Sequence, residues 1–200
     1  RSYGLRCDNK IERFYMNLKN KKAIFLDRDG VINVDSGYIW RIEDFVFYEG
    51  VFEACRYALE LGYILIVVTN QAGIGRGIFS EADYQSLSSW MCKCFAEHNI
   101  ELSGVFHAPT HPQDGIGIYK RESIDRKPGP GMILKASSTM GIDLEKSAMV
   151  GDRETDIEAA INAGVGTKIL INSALSAETT KADVIVPSLS EAIHWLSKNN

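Results

Sequence analysis

The stretch AIFLDRDGVIN, residues 23–33, begins as a buried strand and ends in charge. Its first four residues are apolar and include a β-branched and an aromatic side chain, a composition typical of strands covered on both faces. Asp27 and Asp29 follow at once, with Arg28 between them. Side chains two apart on a strand point to the same side, so both carboxylates are expected to reach one centre. The stretch therefore predicts a polar site at the end of a hydrophobic strand.

Apolar runs alternate with helical patterns along the rest of the chain. Strands are predicted at 23–27, 63–70, 104–108, 147–152, 167–171 and 182–186, and helices at 51–61, 80–98, 130–140, 155–163 and 189–197. This alternation predicts an α/β fold: a doubly wound, Rossmann-like parallel sheet of about six strands with helices on both faces. We interpret residues 21–200 as a single domain and residues 1–20 as an N-terminal extension.

The composition argues against several classes of protein. A net charge of -4 argues against a general polyanion binder, so no nucleic-acid partner is expected. No apolar run reaches the roughly 18 residues of a membrane span, and no signal peptide opens the sequence. Four irregularly spaced cysteines do not form a disulfide framework in a chain of 200 residues. These features predict a cytoplasmic protein without membrane partners, which we expect to be a monomer.

Polar residues cluster where the predicted strands end. The first strand ends in Asp27 and Asp29, the second in TNQ at 69–71, and the fourth in Asp152 and Arg153, while Lys127 lies in the loop DRKPGPGM before a helix. Ligands of open parallel sheets bind beyond the carboxyl ends of the strands. Three carboxylates in one small volume repel, and the pKa of one would rise unless a cation were bound. Mg²⁺ suits such an oxygen-only cluster better than zinc does.

A phosphate group gives the remaining polar residues a use. Thr69 and Lys127 can donate hydrogen bonds to an anion that faces the metal. A carboxylate facing a metal-bound phosphoryl group can attack the phosphorus, and water can then hydrolyse the resulting aspartyl phosphate. The sequence therefore predicts a phosphatase that forms a covalent intermediate.

The order of DRDGVIN, TNQ, RKPGPGM and VGDRETD resembles the four motifs of the haloacid dehalogenase-like phosphatases, between about Ala23 and Val186. The resemblance implies that Asp27 is the nucleophile and that Asp29 is first the general acid and then the base. It also implies that Thr69 and Lys127 hold the phosphoryl oxygens. By the same resemblance, Mg²⁺ is bound by Asp27, by the backbone carbonyl of Asp29 and by Asp152.

A narrower resemblance concerns the substrate. FLDRDGVINVDSGY, TNQAGIGRG, HPQ and RKPGPGM are similar to the D-glycero-D-manno-heptose 1,7-bisphosphate 7-phosphatases. That family implies a phosphorylated sugar as substrate, with Arg126 recognising the retained phosphate. The gaps between the motifs leave no room for a cap domain, so a capless enzyme with loop-borne specificity is expected. The implied substrate-binding residues are Asp35, Ser36, Gly37, Tyr38, Thr69, Asn70, Gln71, Ala72, Arg126, Lys127 and Arg153.

Three alternatives stay open on the sequence. A histidinol phosphate phosphatase has a similar domain but acts on a cationic amine. A receiver domain also combines an acidic cluster with Thr and Lys, although its phosphate acceptor follows a later strand. A sugar-phosphate binding module without turnover is the third. The anomer of the heptose, and whether its product enters lipopolysaccharide synthesis or another glycan, are not indicated.

The loop before Lys127 departs from the family pattern. Many members carry a structural zinc there, held by Cys-x-His and Cys-x-Cys pairs, but this chain has Ala108, Thr110, Ser123 and Asp125 at the corresponding positions. A structural zinc site needs about four Cys or His ligands. We therefore predict a zinc-free loop at 109–125, more mobile than the sheet.

Two further segments have open or weaker interpretations. Asp156 is interpreted either as a partner of the metal site or as a first-turn acid that faces its helix dipole. The segment NQAGIGRG, residues 70–77, follows a strand as a dinucleotide fingerprint does, but no second strand with a ribose-binding acid follows about 20 residues later. We interpret it as a flexible substrate loop.

Overall fold

Six strands line up side by side in the part of the chain that the computed structural model describes, residues 21–171 and 180–199. The strands are β1 (Lys22–Leu26), β2 (Tyr63–Asn70), β3 (Leu102–Ala108), β4 (Ala148–Gly151), β5 (Thr167–Ile171) and β6 (Val184–Val186). The helices are α1 (Val51–Glu60), α2 (Ala72–Gly75), α3 (Glu81–Glu97), α4 (Gly131–Met140), α5 (Glu154–Ala163) and α6 (Leu189–Asn199). The predicted extension, residues 1–20, lies outside the described residues.

The sheet is parallel throughout, with the strand order β3-β2-β1-β4-β5-β6. Ile24 in the central strand pairs with Leu65 on one side and with Ala148 on the other. The chain therefore builds outward from β1 in one direction and, after β3, outward from β4 in the other. Such a reversal opens a crevice at the carboxyl ends of the two central strands. The predicted doubly wound sheet is confirmed.

Two apolar cores cover the two faces of the sheet. One packs α1, α3 and α6 against the first face, and the other packs α4 and α5 against the second. In β1, Ile24 and Leu26 belong to the first core, whereas Ala23 and Phe25 belong to the second, and all four side chains are fully buried. This alternation follows from the two-residue period of a strand. Because β1 is rigidly held on both faces, the residues that follow it are well positioned.

The segment NQAGIGRG contains a short helix, α2, where the sequence analysis predicted a loop. Gly73 and Gly75 are buried in it. A Cβ atom on Gly73 would lie 2.1 Å from the Phe79 ring, and one on Gly75 would lie 2.3 Å from the Pro109 carbonyl oxygen. The glycines therefore allow close packing of this turn. The predicted flexible loop is wrong here because glycine was taken as a sign of flexibility.

The loop at 109–125 is tied together by backbone hydrogen bonds. The amide of His111 donates to the Tyr119 carbonyl at 3.1 Å, and the amide of Ile116 donates to the Gly75 carbonyl at 2.8 Å. A short 3-10 helix, Gly117–Tyr119, lies within it. His107, at the edge of this loop, turns towards α3, where its Nε2 lies 2.6 Å from a Glu81 carboxylate oxygen. Among the described residues, no helix is long and apolar enough to cross a membrane.

Candidate active site

A cavity of about 530 Å³ lies at the carboxyl ends of the central strands. The four predicted catalytic residues, Asp27, Asp29, Thr69 and Lys127, all line it. Ten of the eleven predicted substrate-binding residues line it as well, and Ser36 is the exception. The amide of Gly37 donates to Asp35 Oδ1 at 3.0 Å, which makes a tight turn with Ser36 exposed at its tip.

Three carboxylates meet beside β1 and β4. One oxygen from each of Asp27, Asp152 and Asp156 lies within 4.8 Å of the others. The pKa of Asp27 is raised from 3.8 to about 7, chiefly by burial; Lys127 acts to lower it, and Asp156 acts to raise it. Burial, followed by the charge of Asp156, raises the pKa of Asp152 to about 6. Without a cation, this acidic cluster therefore holds more negative charge than its surroundings stabilise.

A divalent cation fits this donor set. Asp152 Oδ1 is buried without a hydrogen-bond partner among the described residues. The two protein contacts described for Asp27, from the Arg28 amide at 2.8 Å and from Lys127 Nζ at 2.9 Å, both reach Oδ1. Asp27 and Asp152 therefore keep oxygens for a hard cation, and Mg²⁺ prefers such oxygen ligands together with waters and phosphate oxygens.

Asp156 is a first-turn acid of α5 that also lies in the acidic cluster. Its Oδ2 accepts a hydrogen bond from the Arg153 amide at 3.0 Å, which caps the first turn of α5. Its Oδ1 lies 2.6 Å from Lys127 Nζ. Both oxygens of Asp156 therefore have protein partners, and one of these partners is the lysine. Only the fold brings these two interactions onto one carboxylate.

Lys127 is buried, and its ammonium group has three acceptors around it. Its Nζ lies 2.9 Å from Asp27 Oδ1 and 2.6 Å from Asp156 Oδ1, and it donates to the Val68 carbonyl at 2.8 Å. Burial acts to lower the pKa of Lys127, but Asp156 and Asp27 outweigh it and the pKa is raised. Asn70 anchors the lysine backbone, because its amide group exchanges two hydrogen bonds of 3.0 Å with Lys127 N and O. The charged ammonium group is therefore fixed beside Asp27.

Asp29 has different surroundings. Arg28 Nη2 lies 2.9 Å from each carboxylate oxygen, and Arg28 Nε donates to Oδ1 at 3.2 Å. The side-chain amides of Asn33 and Gln71 add one donor each, both at 3.0 Å. No function of Arg28 was predicted from the sequence. The available signal was an arginine between two aspartates directly after a buried strand.

The loop at 35–38 closes one side of the cavity. Arg153 Nη2 pairs with Asp35 Oδ2 at 2.7 Å, and Arg153 Nε lies 3.7 Å from Asp152 Oδ2. Gly30 lets the chain pass the acidic cluster, since a Cβ there would lie 2.3 Å from Asp152 Oδ2. Its φ of 85° also lies in the left-handed region that favours glycine. The loop and the acidic cluster are therefore joined through Arg153.

A third arginine, Arg76, lines the cavity together with Arg126 and Arg153, and the sequence did not predict it. Arg76 follows α2, contacts the Tyr38 hydroxyl and lies 2.6 Å from Asp114 Oδ2. Arg126 donates to the Thr110 carbonyl at 3.2 Å. Burial, followed by the charge of Arg76, lowers the pKa of Arg126. The arginine in GIGRG, next to a strand end, was the signal that could have indicated this side chain.

Comparison with known proteins gives concordant matches. Residues 124–192 match a family model described as "HAD-hyrolase-like". A D-glycero-alpha-D-manno-heptose-1,7-bisphosphate 7-phosphatase from Burkholderia mallei is 51% identical over 181 residues, which span 90% of this chain and 95% of that protein. A D-glycero-beta-D-manno-heptose-1,7-bisphosphate 7-phosphatase from Vibrio cholerae is 48% identical over 88% of this chain and 96% of its own length. The chain belongs to the heptose 1,7-bisphosphate 7-phosphatase family.

A solved structure of this family agrees with the fold. The D,D-heptose 1,7-bisphosphate phosphatase of B. bronchiseptica, complexed with magnesium and phosphate, superposes with a TM-score of 0.74 at 26% identity. The match covers 90% of this chain and 99% of that structure. The predicted membership of the haloacid dehalogenase-like phosphatases is confirmed.

Proposed function

We propose that this protein is a Mg²⁺-dependent phosphatase that converts a D-glycero-D-manno-heptose 1,7-bisphosphate into the heptose 1-phosphate. The main support for this proposal is the placement of Asp27. It is a buried carboxylate at the central crevice of the sheet, with Lys127 Nζ at 2.9 Å and Asp152 beside it. Relatives of this chain are named for both the alpha and the beta anomer, so either anomer is included.

Asp27 is proposed as the nucleophile. One of its oxygens is held by the Arg28 amide and by Lys127, which fixes the orientation of the carboxylate. The other oxygen attacks the phosphorus, the bond to the sugar oxygen breaks, and the phosphoryl group becomes attached to Asp27. Lys127 and the Thr69 hydroxyl bind the phosphoryl oxygens, where positive charge and a donor stabilise the charge of the transition state.

Asp29 is proposed to move the proton in both steps. It lines the same cavity as Asp27, and Arg28 and Gln71 donate hydrogen bonds to its carboxylate. In the first step it protonates the departing sugar oxygen, and in the second it takes a proton from the water that attacks the aspartyl phosphate. One carboxyl group can act first as acid and then as base, because the first step leaves it deprotonated and the second step restores its proton.

Mg²⁺ would be held by Asp27 and Asp152, and when bound it would offset their charge and polarise the phosphoryl group. Asp156 would keep Lys127 in place rather than bind the cation, because both of its oxygens already have partners. The backbone carbonyl of Asp29 remains a predicted third ligand from the protein.

The charged groups around the cavity favour a second anion over an amine. Arg76 and Arg126 both line it, in addition to Lys127. Asp35, a carboxylate of the loop at 35–38 that also lines the cavity, is paired with Arg153 at 2.7 Å. A histidinol phosphate phosphatase needs a carboxylate for its cationic substrate, so the bisphosphate is the better match to this chain.

A turnover panel tests the proposal. Phosphate release would be measured with heptose 1,7-bisphosphate of each anomer, with fructose 1,6-bisphosphate and with histidinol phosphate, each with Mg²⁺ and with chelator. We expect Mg²⁺-dependent release that is fastest with a heptose bisphosphate. Faster release from histidinol phosphate would identify that compound as the substrate instead. No steady release from any compound would favour the receiver-domain or binding-module alternative.

A further inference from the structure

Arg28 is an unusual residue to find at the centre of the fold. Its side chain is 1% exposed, and its guanidinium group lies 5.9 Å from the centroid of the Phe45 ring. Burying a charge is costly unless it is paired and hydrogen-bonded. Among the described residues, the carboxylate that pairs with Arg28 is that of Asp29. A fully buried arginine at this position therefore calls for an explanation beyond packing.

The contacts of Arg28 form a fork on Asp29. Nη2 reaches both carboxylate oxygens at 2.9 Å, and Nε reaches Oδ1 at 3.2 Å. Nη2 also donates to the Ile39 carbonyl at 2.8 Å, directly after the loop that closes the cavity. A planar fork with two points of attachment restricts the rotation of a carboxylate, which a single hydrogen bond does not.

The fork is continued by neutral donors. Gln71 Nε2 donates to Asp29 Oδ2 at 3.0 Å and to the Thr69 hydroxyl at 2.9 Å. Gln71 and Thr69 are themselves buried. The orientation of Asp29 is thus linked through Gln71 to Thr69, a proposed phosphoryl-binding residue, and through Arg28 to Ile39, next to the loop at 35–38.

We infer that Arg28 is the positioning residue for Asp29. It holds the carboxyl group, protonated by the hydrolysis step of the preceding turnover, at the orientation from which it delivers the proton to the departing sugar oxygen. This inference rests on the proposed function. When the bond from phosphorus to that oxygen breaks, the electron pair stays on the oxygen, which takes the proton from Asp29. A sugar alkoxide is a poor leaving group without that proton, whereas nitrophenolate leaves without it.

Comparing two leaving groups therefore distinguishes loss of proton delivery from general loss of stability. Phosphoryl transfer to Asp27 would be followed as kcat/KM with a sugar phosphate and with p-nitrophenyl phosphate, for the wild type, Arg28→Met and Arg28→Lys. For Arg28→Met we expect kcat/KM with the sugar phosphate to fall about 10²-fold, the lower end of general acid effects, while the value for p-nitrophenyl phosphate stays close to wild type. Arg28→Lys keeps the charge but not the fork, and we expect an intermediate ratio of the two values.

Two control variants complete the design. Arg56→Met removes an exposed arginine on α1 and is expected to change neither rate nor thermal stability. Leu196→Ala opens the core beneath α6 and is expected to lower the melting temperature while leaving the ratio of the two kcat/KM values unchanged. It therefore shows what simple destabilisation does.

The outcomes distinguish this inference from the proposed function. A wild type that releases phosphate from neither substrate overturns both. An active wild type, combined with Arg28 variants that lose activity equally on both substrates or on neither, overturns the positioning role alone. Should Arg28→Met not fold, the ratio for Arg28→Lys decides: an unchanged ratio overturns the inference, and a selective loss on the sugar phosphate supports it.

Discussion

Asp27 and Asp29 are two residues apart, yet they have opposite electrostatic surroundings. Asp27 shares Lys127 with Asp156 and lies beside Asp152, so three carboxylates meet near one ammonium group. Asp29 has a guanidinium fork and two amide donors. The acidic cluster is incomplete without a cation, whereas both carboxylate oxygens of Asp29 already have donors from the described side chains. Two carboxylates of one motif can therefore be stabilised differently, one by a bound cation and the other by neighbouring side chains.

The largest expected effect is on turnover, and it comes from changing Asp27 in the acidic cluster. Asp27→Asn should abolish turnover, because an amide is a poor nucleophile and a weaker metal ligand. The fold should persist, since the substitution removes one of three crowded negative charges. Phosphate release and thermal unfolding, each with and without Mg²⁺, measure both effects. Asp44→Asn, an exposed change of the same kind, serves as the control. Substantial activity in purified Asp27→Asn would exclude the covalent mechanism.

Changing Asp29, which is paired with Arg28, should lower both the turnover rate and the stability. Asp29→Asn should slow turnover by roughly 10²–10⁴, the range for loss of general acid-base catalysis. It should also lower the free energy of unfolding by about 3 kcal/mol, because Arg28 keeps a buried charge without its carboxylate. Adding Arg28→Met to this variant should restore stability but not turnover. Denaturant unfolding and phosphate release test this, and an unchanged stability in Asp29→Asn would show that the pair is energetically unimportant.

The acidic cluster should make the stability of the metal-free protein depend on pH. The pKa values of Asp27 and Asp152 rise from 3.8 to about 7 and about 6 on folding. The folded state thus binds these protons more tightly, and the stability they contribute is present below pH 3.8 and lost as the pH rises through about 6 to 7.

Mg²⁺ should counteract this loss because it binds the ionised carboxylates. At about 100 times its dissociation constant it should add about 2.7 kcal/mol near pH 8 and clearly less near pH 5. Unfolding curves at both pH values, with Mg²⁺ and with chelator, measure the difference. Equal stabilisation at both values would argue against the acidic cluster as the binding site.

The smallest expected effect concerns zinc. Within the described chain, His107 is engaged with Glu81, and His111 Nε2 lies 3.3 Å from Arg76 Nη2. We expect no stoichiometric zinc in protein purified without chelator, and no change in metal content for His107→Ala or His111→Ala. Elemental analysis decides this. One zinc per chain that disappears in either variant would show that the loop holds a site of a different composition from that of its relatives.

Local pattern and motif order carried much of the fold and of the site. Strands without polar interruption predicted burial on both faces, and the two cores on either side of β1 agree with this. The polar residues that follow β1, β2 and β4 converge because parallel strands end at the same edge. The short helix α2 was missed because its glycines indicate a turn locally, whereas contact with Phe79 and Pro109 requires them.

The sequence by itself determined which residues lie at the strand ends and which chemistry they can perform, because hydrophobic period and motif spacing are local properties. The tertiary structure alone decided how the charges pair. It directed Arg28 onto Asp29 and Ile39, gave Asp156 both a helix cap and Lys127, and placed Arg76 in the cavity with Arg126. Each of these arrangements joins elements far apart in the chain or depends on burial. Burial and long-range distance set the strength of a charge interaction, and neither is written in a local pattern.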